Sequence, residues 1–392
     1  MTVATGPFDD SVRRAIGEGS PPSAAGIGAM AAEHTAILGA EGRALVAGGL
    51  VDRLVGLGPL TRLAEDPTIT DLLVNGDGVV WVDRGRGVER SPLRLPVDDL
   101  RPLAVRLAGV AGRRLDDAQP WVDGVLPGGV RLHAVLSPLA DGPHLSLRFA
   151  RHRPGGVESL VALGSLGRDL AVLLREVVAA RASLVVTGGT GAGKTTVLAA
   201  LVAECPADER VVVVEDVREL DPDHPHVVRL QGRGPNVEGV GGVTLVDLVR
   251  QALRMRPDRL VVGEVRGAEV RELLAALNTG HEGGMSTLHA NGPEEVPARF
   301  EALGALGGMP REGVHAQLRG ALRVVVHVVR RGGRRRVDRV GVVVPDPAVP
   351  GEVRVLEAAR DGPGGLVGGP GHEQLVDLVP VLATACRWVT PC

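Results

Sequence analysis

One lysine constrains this chain more than any other residue. Of the 44 lysines and arginines in 392 residues, only Lys194 is lysine. It stands in the run Gly188-Gly189-Thr190-Gly191-Ala192-Gly193-Lys194-Thr195-Thr196. Before the run, "ASLVV" is apolar and strand-like. After it, "TTVLAALVAEC" places Val197, Leu198, Leu201 and Val202 on one face of a helix. A strand passing through G-x-x-x-x-G-K-[ST] into a helix is the context a phosphate-binding loop requires. Glycines let the backbone wrap closely, so that its N–H groups point inward at phosphate oxygens, and the helix adds its positive dipole end. The lysine enters that cradle as a compact charge with three donors, where a planar guanidinium is too wide. A chain that otherwise uses arginine therefore keeps lysine here. Residues 188–196 are the expected phosphate-binding set. The Thr195 hydroxyl is placed for Mg²⁺, and Thr196 either supports it or caps the helix.

The surrounding pattern sets the fold class. "RVVVVED", "DRLVVGEV" and "GMSTLHAN" read as further strands, alternating with helices over "TLVDLVRQALRMR", "AEVRELLAALNTG" and "PEEVPARFEAL". Such alternation implies an α/β domain with a mainly parallel sheet and helices on both faces. Thr244 is the expected N-cap of the first of these helices and Gly280 the stop of the second. "VVVHVVRRGGRRRVDRVGVVV" reads as a β-hairpin at the sheet edge, and the Pro/Gly-rich stretch 345–372 as a surface loop. Upstream, "ITDLLVNGDGVVWVDRGRGVER" reads as strand, NGDG turn, strand. "VDDLRPLAVRLAGVAGRR" reads as an amphipathic helix and "HLSLRFARHR" as a short strand, giving a small α+β domain. The resulting organisation is a flexible arm over 1–41, the α+β domain over 42–150, a linker over 151–160 and the nucleotide-binding domain over 161–392. A helical pattern starting at Arg43 opens the α+β domain.

Three further elements carry chemistry. Glu215, ending "VVVVE", lies at the carboxyl edge of a buried strand, where ligands of open α/β sheets bind; a carboxylate there can deprotonate a water. Glu264, in "LVVGEVRG", suits an Mg²⁺-bound water, with Gly263 where many P-loop proteins carry aspartate. His289 follows a buried strand and could sense a phosphate, with His281 in the glycine-flanked loop before it. Neither histidine fits zinc spacing.

In order, "GGTGAGKTT", "VEDVREL", "LRMRPDRLVVGEVRG" and "TGHEGGMSTLHAN" resemble the four boxes of the ATPases of bacterial secretion, type IV pilus and conjugation machines. "RPDRLVVGEVRG" and "STLHAN", with "GLGPLTRLAEDPTITDLLVNG" and "GRRLDDAQPWVDGVLPGG" in the front half, are most similar to the Tad/Flp-pilus, CpaF-like branch. The resemblance spans about residues 45–345. It implies a RecA-like domain that binds ATP with Mg²⁺, Glu215 as general base, Glu264 as Walker B carboxylate, and His289 with His281 as the histidine box. It implies an arginine from the front domain reaching the nucleotide, Arg148 matching best and Arg131 second. It further implies a homohexamer working on a membrane platform protein at the inner face of the cell membrane, to power pilus assembly or protein secretion.

Composition weighs the alternatives. The N-terminus shows no signal peptide and no stretch of about 18 apolar residues spans a membrane, so the expected location is cytoplasmic, through protein partners. Three scattered cysteines imply no disulfide framework. A helicase or DNA translocase is the rival motor. The net charge of −3 and the shortage of aromatic residues speak against it, and only the Arg330–Arg336 run supports it. A regulator without turnover is the second rival, opposed by the acidic and histidine boxes.

Overall fold

A computed structural model of the chain describes residues 56–85, 87–149, 155–234 and 240–389. The expected arm over 1–41 and nearly all of the helix starting at Arg43 lie outside them. Two compact units divide the chain, Met1–Arg151 and His152–Cys392.

The described part of the first unit is a six-stranded antiparallel sheet under a long helix, with a short helix at Thr61–Ala64 before the first strand. Its strands are β1 (Asp71–Val74), β2 (Val79–Asp83), β3 (Val88–Arg94), β4 (Trp121–Leu126), β5 (Val130–Val135) and β6 (His144–Arg148), in the order β3-β2-β1-β6-β5-β4. The expected NGDG turn joins β1 to β2 and is closed by the Gly78 N–H donating to the Asn75 carbonyl at 2.9 Å. Helix α1 (Val97–Val110) buries Leu100, Leu103, Ala104 and Leu107. That i, i+3, i+4, i+7 spacing is one helical stripe. It packs on Leu72, Val80, Leu132, Leu145 and Leu147, which alternate inward along the strands.

The second unit is built on a ten-stranded sheet. Its strands are β7 (Leu184–Gly188), β8 (Val211–Glu215), β9 (Val227–Gln231), β10 (Arg259–Val265), β11 (Met285–His289), β12 (Val324–Arg331), β13 (Arg334–Pro345), β14 (Val353–Gly362), β15 (Gly365–Gly368) and β16 (Trp388–Val389). The order is β16-β15-β14-β13-β12-β7-β11-β10-β8-β9, and every pair from β12 to β9 is parallel. Successive valines serve opposite faces. Val211 and Val213 join one core with helices α2 (Gly156–Ala162), α3 (Arg168–Ala179) and α4 (Lys194–Ala203). Val212 and Val214 join the other with α5 (Leu245–Leu253), α6 (Val270–Asn278), α7 (Val296–Leu306) and α8 (Arg311–Ala321). Burial on both faces explains why these strands read as unbroken apolar runs rather than alternating ones. Thr244 caps α5 as expected: its hydroxyl accepts from the Asp247 N–H at 3.2 Å, and Asp247 accepts from the Thr244 N–H at 3.1 Å.

Three expectations are corrected. The hairpin β12–β13 lies within the sheet, not at its edge, because β13 pairs onward with β14. The stretch 345–372 contains two strands rather than a loop alone: β14 and β15 pair antiparallel between glycine and proline turns. Its flanking breakers dominate the composition and mask a ten-residue strand whose Val353 and Val355 alternate inward. Finally, the expected linker over 151–160 contains the start of α2. Val157 and Leu160 are buried in the core of the second unit, and the Val157 N–H donates to Glu204 at 2.8 Å.

Candidate active site

The glycine loop closes where the sequence places it, between the end of β7 and the start of α4. Gly188 takes φ +151°, and a Cβ there would fall 2.3 Å from the Val328 carbonyl oxygen. No side chain is tolerated at so close a strand approach. Gly191 and Gly193 sit at φ +69° and +102°, the left-handed turns that wrap the loop. Lys194 is half-buried. Its ammonium donates to the carbonyl oxygens of Gly188 at 3.0 Å and Gly189 at 3.2 Å, and lies 3.3 Å from His289 Nδ1. Burial pushes its pKa below the usual lysine value, and the nearby Glu264 carboxylate opposes that shift.

His289 links the next two elements. Strand β11 lies beside β7 with His289 opposite Gly188. Its Nε2 lies 3.2 Å from Thr190 Oγ1 and its Nδ1 3.8 Å from Glu264 Oε1. Glu264 lies within the register shift between Val262 and Val265 on β10. Irregularities of this kind re-aim a side chain. The Thr287 hydroxyl donates to the Gly263 carbonyl at 2.7 Å and ties β11 to β10 at that point. Lys194, His289 and Glu264 thus meet at one sheet edge, as parallel neighbours β7, β11 and β10 require.

Glu215 departs from the expected base. It is 5% exposed. Its Oε1 accepts the N–H groups of Glu219 at 3.0 Å and Leu220 at 2.9 Å. One oxygen of its carboxylate is therefore committed to the loop after β8. That loop carries a carboxylate the sequence reading passed over: Glu219 Oε2 lies 3.5 Å from Thr195 Oγ1. The signal was present in "VEDVREL", where a second glutamate follows four residues after the first. The same packing explains Gly263. A Cβ there would stand 2.7 Å from Glu215 Cγ, so the aspartate common at this position is displaced by the buried glutamate. The remaining acid of the box, Asp216, pairs with Arg266.

His281 is not brought to this edge. It precedes β11, whose strand runs from the opposite edge to His289, and its N–H donates to the Ala276 carbonyl at the end of α6 at 3.4 Å. Arg148 and Arg131 belong to the first unit and face each other across β6 and β5. The Arg148 Nε donates to Asp71 at 2.7 Å. Thr195, Glu219 and Glu264 together offer a hydroxyl and two carboxylates, the hard oxygen donors that Mg²⁺ takes. Thr196 lies in the first turn of α4, two residues into the helix.

A family model described as type II/IV secretion system protein matches residues 53–340. The chain belongs to that family. It is an ATPase of the type II/IV secretion systems. A Mycobacterium tuberculosis protein with a conjugal-transfer name is 55% identical over 303 residues, which are 75% of this chain and 86% of that one. The Bordetella pertussis type IV secretion system protein PtlH is 32% identical, across 69% of this chain and 88% of its own length. Among solved structures, the pilus retraction motor PilT with bound ADP shares the fold at a TM-score of 0.51 and 20% identity, over 76% of this chain and 80% of that one. The Legionella pneumophila ATPase DotB does so at 0.50 and 19%, over 84% and 87%. The secretion ATPase thus has the RecA-like α/β architecture that its strand–helix alternation implies. Among its described residues no helix is long and apolar enough to cross a membrane.

Proposed function

We propose that this secretion ATPase is a motor of the Tad/Flp-pilus, CpaF-like branch, working as a homohexamer against an inner-membrane platform to assemble a pilus or export protein. The observation that carries the hydrolytic reading is the convergence of Lys194, His289 and Glu264 within 3.8 Å contacts at one sheet edge, with Glu219 beside Thr195. In this reading the loop N–H groups and Lys194 hold the phosphates of ATP. Thr195 and Glu264 would hold Mg²⁺, whose charge would offset that of the phosphates. Glu219 or Glu264 orients the attacking water and takes its proton as the bond to the terminal phosphorus breaks and ADP leaves. Glu219 is favoured as the base, because Glu215 is committed to backbone donors. His289, between Thr190 and Glu264, reads whether the terminal phosphate is present. Arg148 and Arg131 are carried as candidates to neutralise the departing phosphoryl group. The Arg330–Arg336 run is the one feature favouring a nucleic-acid motor, and the bond from Arg335 to the Gly191 carbonyl supports reading it as part of the nucleotide site instead.

Steady-state phosphate release tests the reaction. Wild type turns over ATP with Mg²⁺, without stimulation by single-stranded DNA, and Glu264→Gln is nearly inactive. Wild-type protein without turnover, or strictly dependent on DNA, overturns the reading. Pilin-like and platform-protein reading frames beside the gene would support the Tad/Flp assignment, and conjugation genes there would count against it. Light scattering in the presence of a non-hydrolysable ATP analogue reports ring size.

A further inference from the structure

Arginine is most concentrated at the tip of the β12–β13 hairpin, where Arg330, Arg331, Arg334, Arg335 and Arg336 lie around Gly332-Gly333. Strand β12 pairs in parallel with β7, His327 opposite Thr187, and continues beyond the end of β7. That overshoot carries the tip to the glycine loop. The Arg335 Nε donates to the Gly191 carbonyl at 3.0 Å. Its Cδ and Cβ lie 3.3 and 3.9 Å from the point where a side chain on Gly193 would begin, and Arg330 Nη1 lies 3.8 Å from the corresponding point on Gly191. Among the described residues Arg335 has no carboxylate partner, so its outer nitrogens are uncommitted.

The sheet order says which part of a bound nucleotide lies here. His289 and Glu264 stand on β11 and β10, on one side of β7, and β12 lies on the other. The Lys194 ammonium leans toward His289. A P-loop lysine reaches the two outer phosphates, so the terminal phosphate belongs on the β11 side. The inner phosphate and the nucleoside then leave over Gly191–Gly193, on the hairpin side. The chain has little aromatic surface to receive a base: three Phe, three Trp and no Tyr. In the second unit Phe300 is buried in the core and Trp388 stands on the last strand. A guanidinium can replace an aromatic ring, because its plane stacks on a base while its edge donates to phosphate oxygen.

We propose that Arg335, with Arg330 beside it, grips the nucleoside half of the nucleotide, its innermost phosphate and base, from the hairpin side of the loop. This rests on the ATPase reading above. Contacts to that half are the same in ATP, ADP and the transition state, so they set affinity and leave the chemical step alone.

The test is equilibrium binding of fluorescent ADP with parallel kinetics. Arg335→Ala weakens ADP by about tenfold, as loss of a charge-assisted contact implies. It raises the ATP KM to match and leaves kcat within about twofold. Competition by inorganic pyrophosphate, which fills only the outer phosphate positions, is unchanged. Arg335→Lys, which keeps the charge without the plane, recovers part of the affinity and serves as the second variant if the alanine protein unfolds. Unchanged ADP affinity in an Arg330→Ala/Arg335→Ala protein with wild-type melting overturns the proposal. So does a fall in kcat with ADP affinity intact, which would put the arginine on the terminal phosphate. Wild type that binds no ADP refutes the nucleotide reading itself, and this inference with it.

Discussion

The two flanks of strand β7 are built from opposite charges. On the β11–β10–β8 flank stand His289, which touches Lys194, Glu264, which lies 3.8 Å from His289, and the exposed Glu219, which lies beside Thr195. On the β12 flank stands a tip of arginines, one of them tied to the loop by the Gly191 carbonyl. Carboxylates beside a triphosphate would repel it unless a metal or a water lies between, so the acidic flank suits groups that act on a reacting phosphate. Cations at the tip suit holding what does not change. The difference teaches that a single glycine loop separates the chemical half of the nucleotide from its handle. Substitutions on the two flanks should therefore split into losses of turnover and losses of affinity.

The largest effect is expected at the loop itself, which belongs to both flanks. Lys194→Ala should cut turnover by about 10²–10³-fold, the range for removing one preorganised donor to transition-state charge, and weaken ATP binding as well. Phosphate release and nucleotide binding, measured on the same preparation, check this. A variant that loses neither would place the cradle elsewhere in the chain.

The acidic flank comes next, and it separates two glutamates. Glu219→Gln should lower kcat by about 10²-fold or more, as loss of a general base does, with ADP affinity preserved. Glu215→Gln should act through folding, since its carboxylate accepts two backbone N–H groups in a buried position. It should lower the melting temperature and affect both kcat and KM through the displaced loop. If Glu215→Gln keeps its melting point and loses only kcat, the roles are exchanged. His289→Ala against His281→Ala applies the same logic, with a loss of turnover expected from the first alone.

These pairs mark what was legible in the sequence. The loop, the strand alternation and the edge that gathers Lys194, Glu264 and His289 follow from a motif whose geometry is fixed by its covalent spacing, and from apolar runs too long to serve one face. Three things were not legible. That Glu215 turns inward after β8 while Glu219 stays exposed beside Thr195 is set by backbone donors four and five residues away. His281 shares a sequence box with His289, but a strand running edge to edge divides them, and a reading by box could not see the direction of travel. The arginine tip reads as a solvated hairpin until β12 is known to pair with β7 and overshoot it. Nonlocal pairing decides the last two, and periodicity carries little of it. The same reason hid β14, whose partner β13 is supplied from across a turn.

A smaller, purely structural effect sharpens the account of Gly263. Gly263→Asp should cost about 1–3 kcal/mol, the usual range for overpacking. Its Cβ would meet Glu215 at 2.7 Å and its carboxylate would add a like charge. Pairing it with Glu215→Ala should recover part of the loss, since that change clears the space. Denaturant midpoints of the two single variants and the double variant measure the coupling.

The smallest effect calibrates the rest. Thr244→Ala removes one half of the capping box at the start of α5 and should cost about 1 kcal/mol. For a unit of this size that is a fall of about 2–4 °C in melting temperature. Helix α5 packs through Leu245, Leu248, Val249 and Ala252 on the sheet face it shares with α6, and Thr244 itself touches neither flank of the loop. The variant should therefore lose stability comparable to a mild core change while kcat, the ATP KM and ADP affinity stay at wild-type values. If it instead shifts kcat, then small losses of stability anywhere in the second unit reach the site. The division between turnover on one flank and affinity on the other would then have to be established at matched stability, variant by variant, before either flank could be assigned its chemistry.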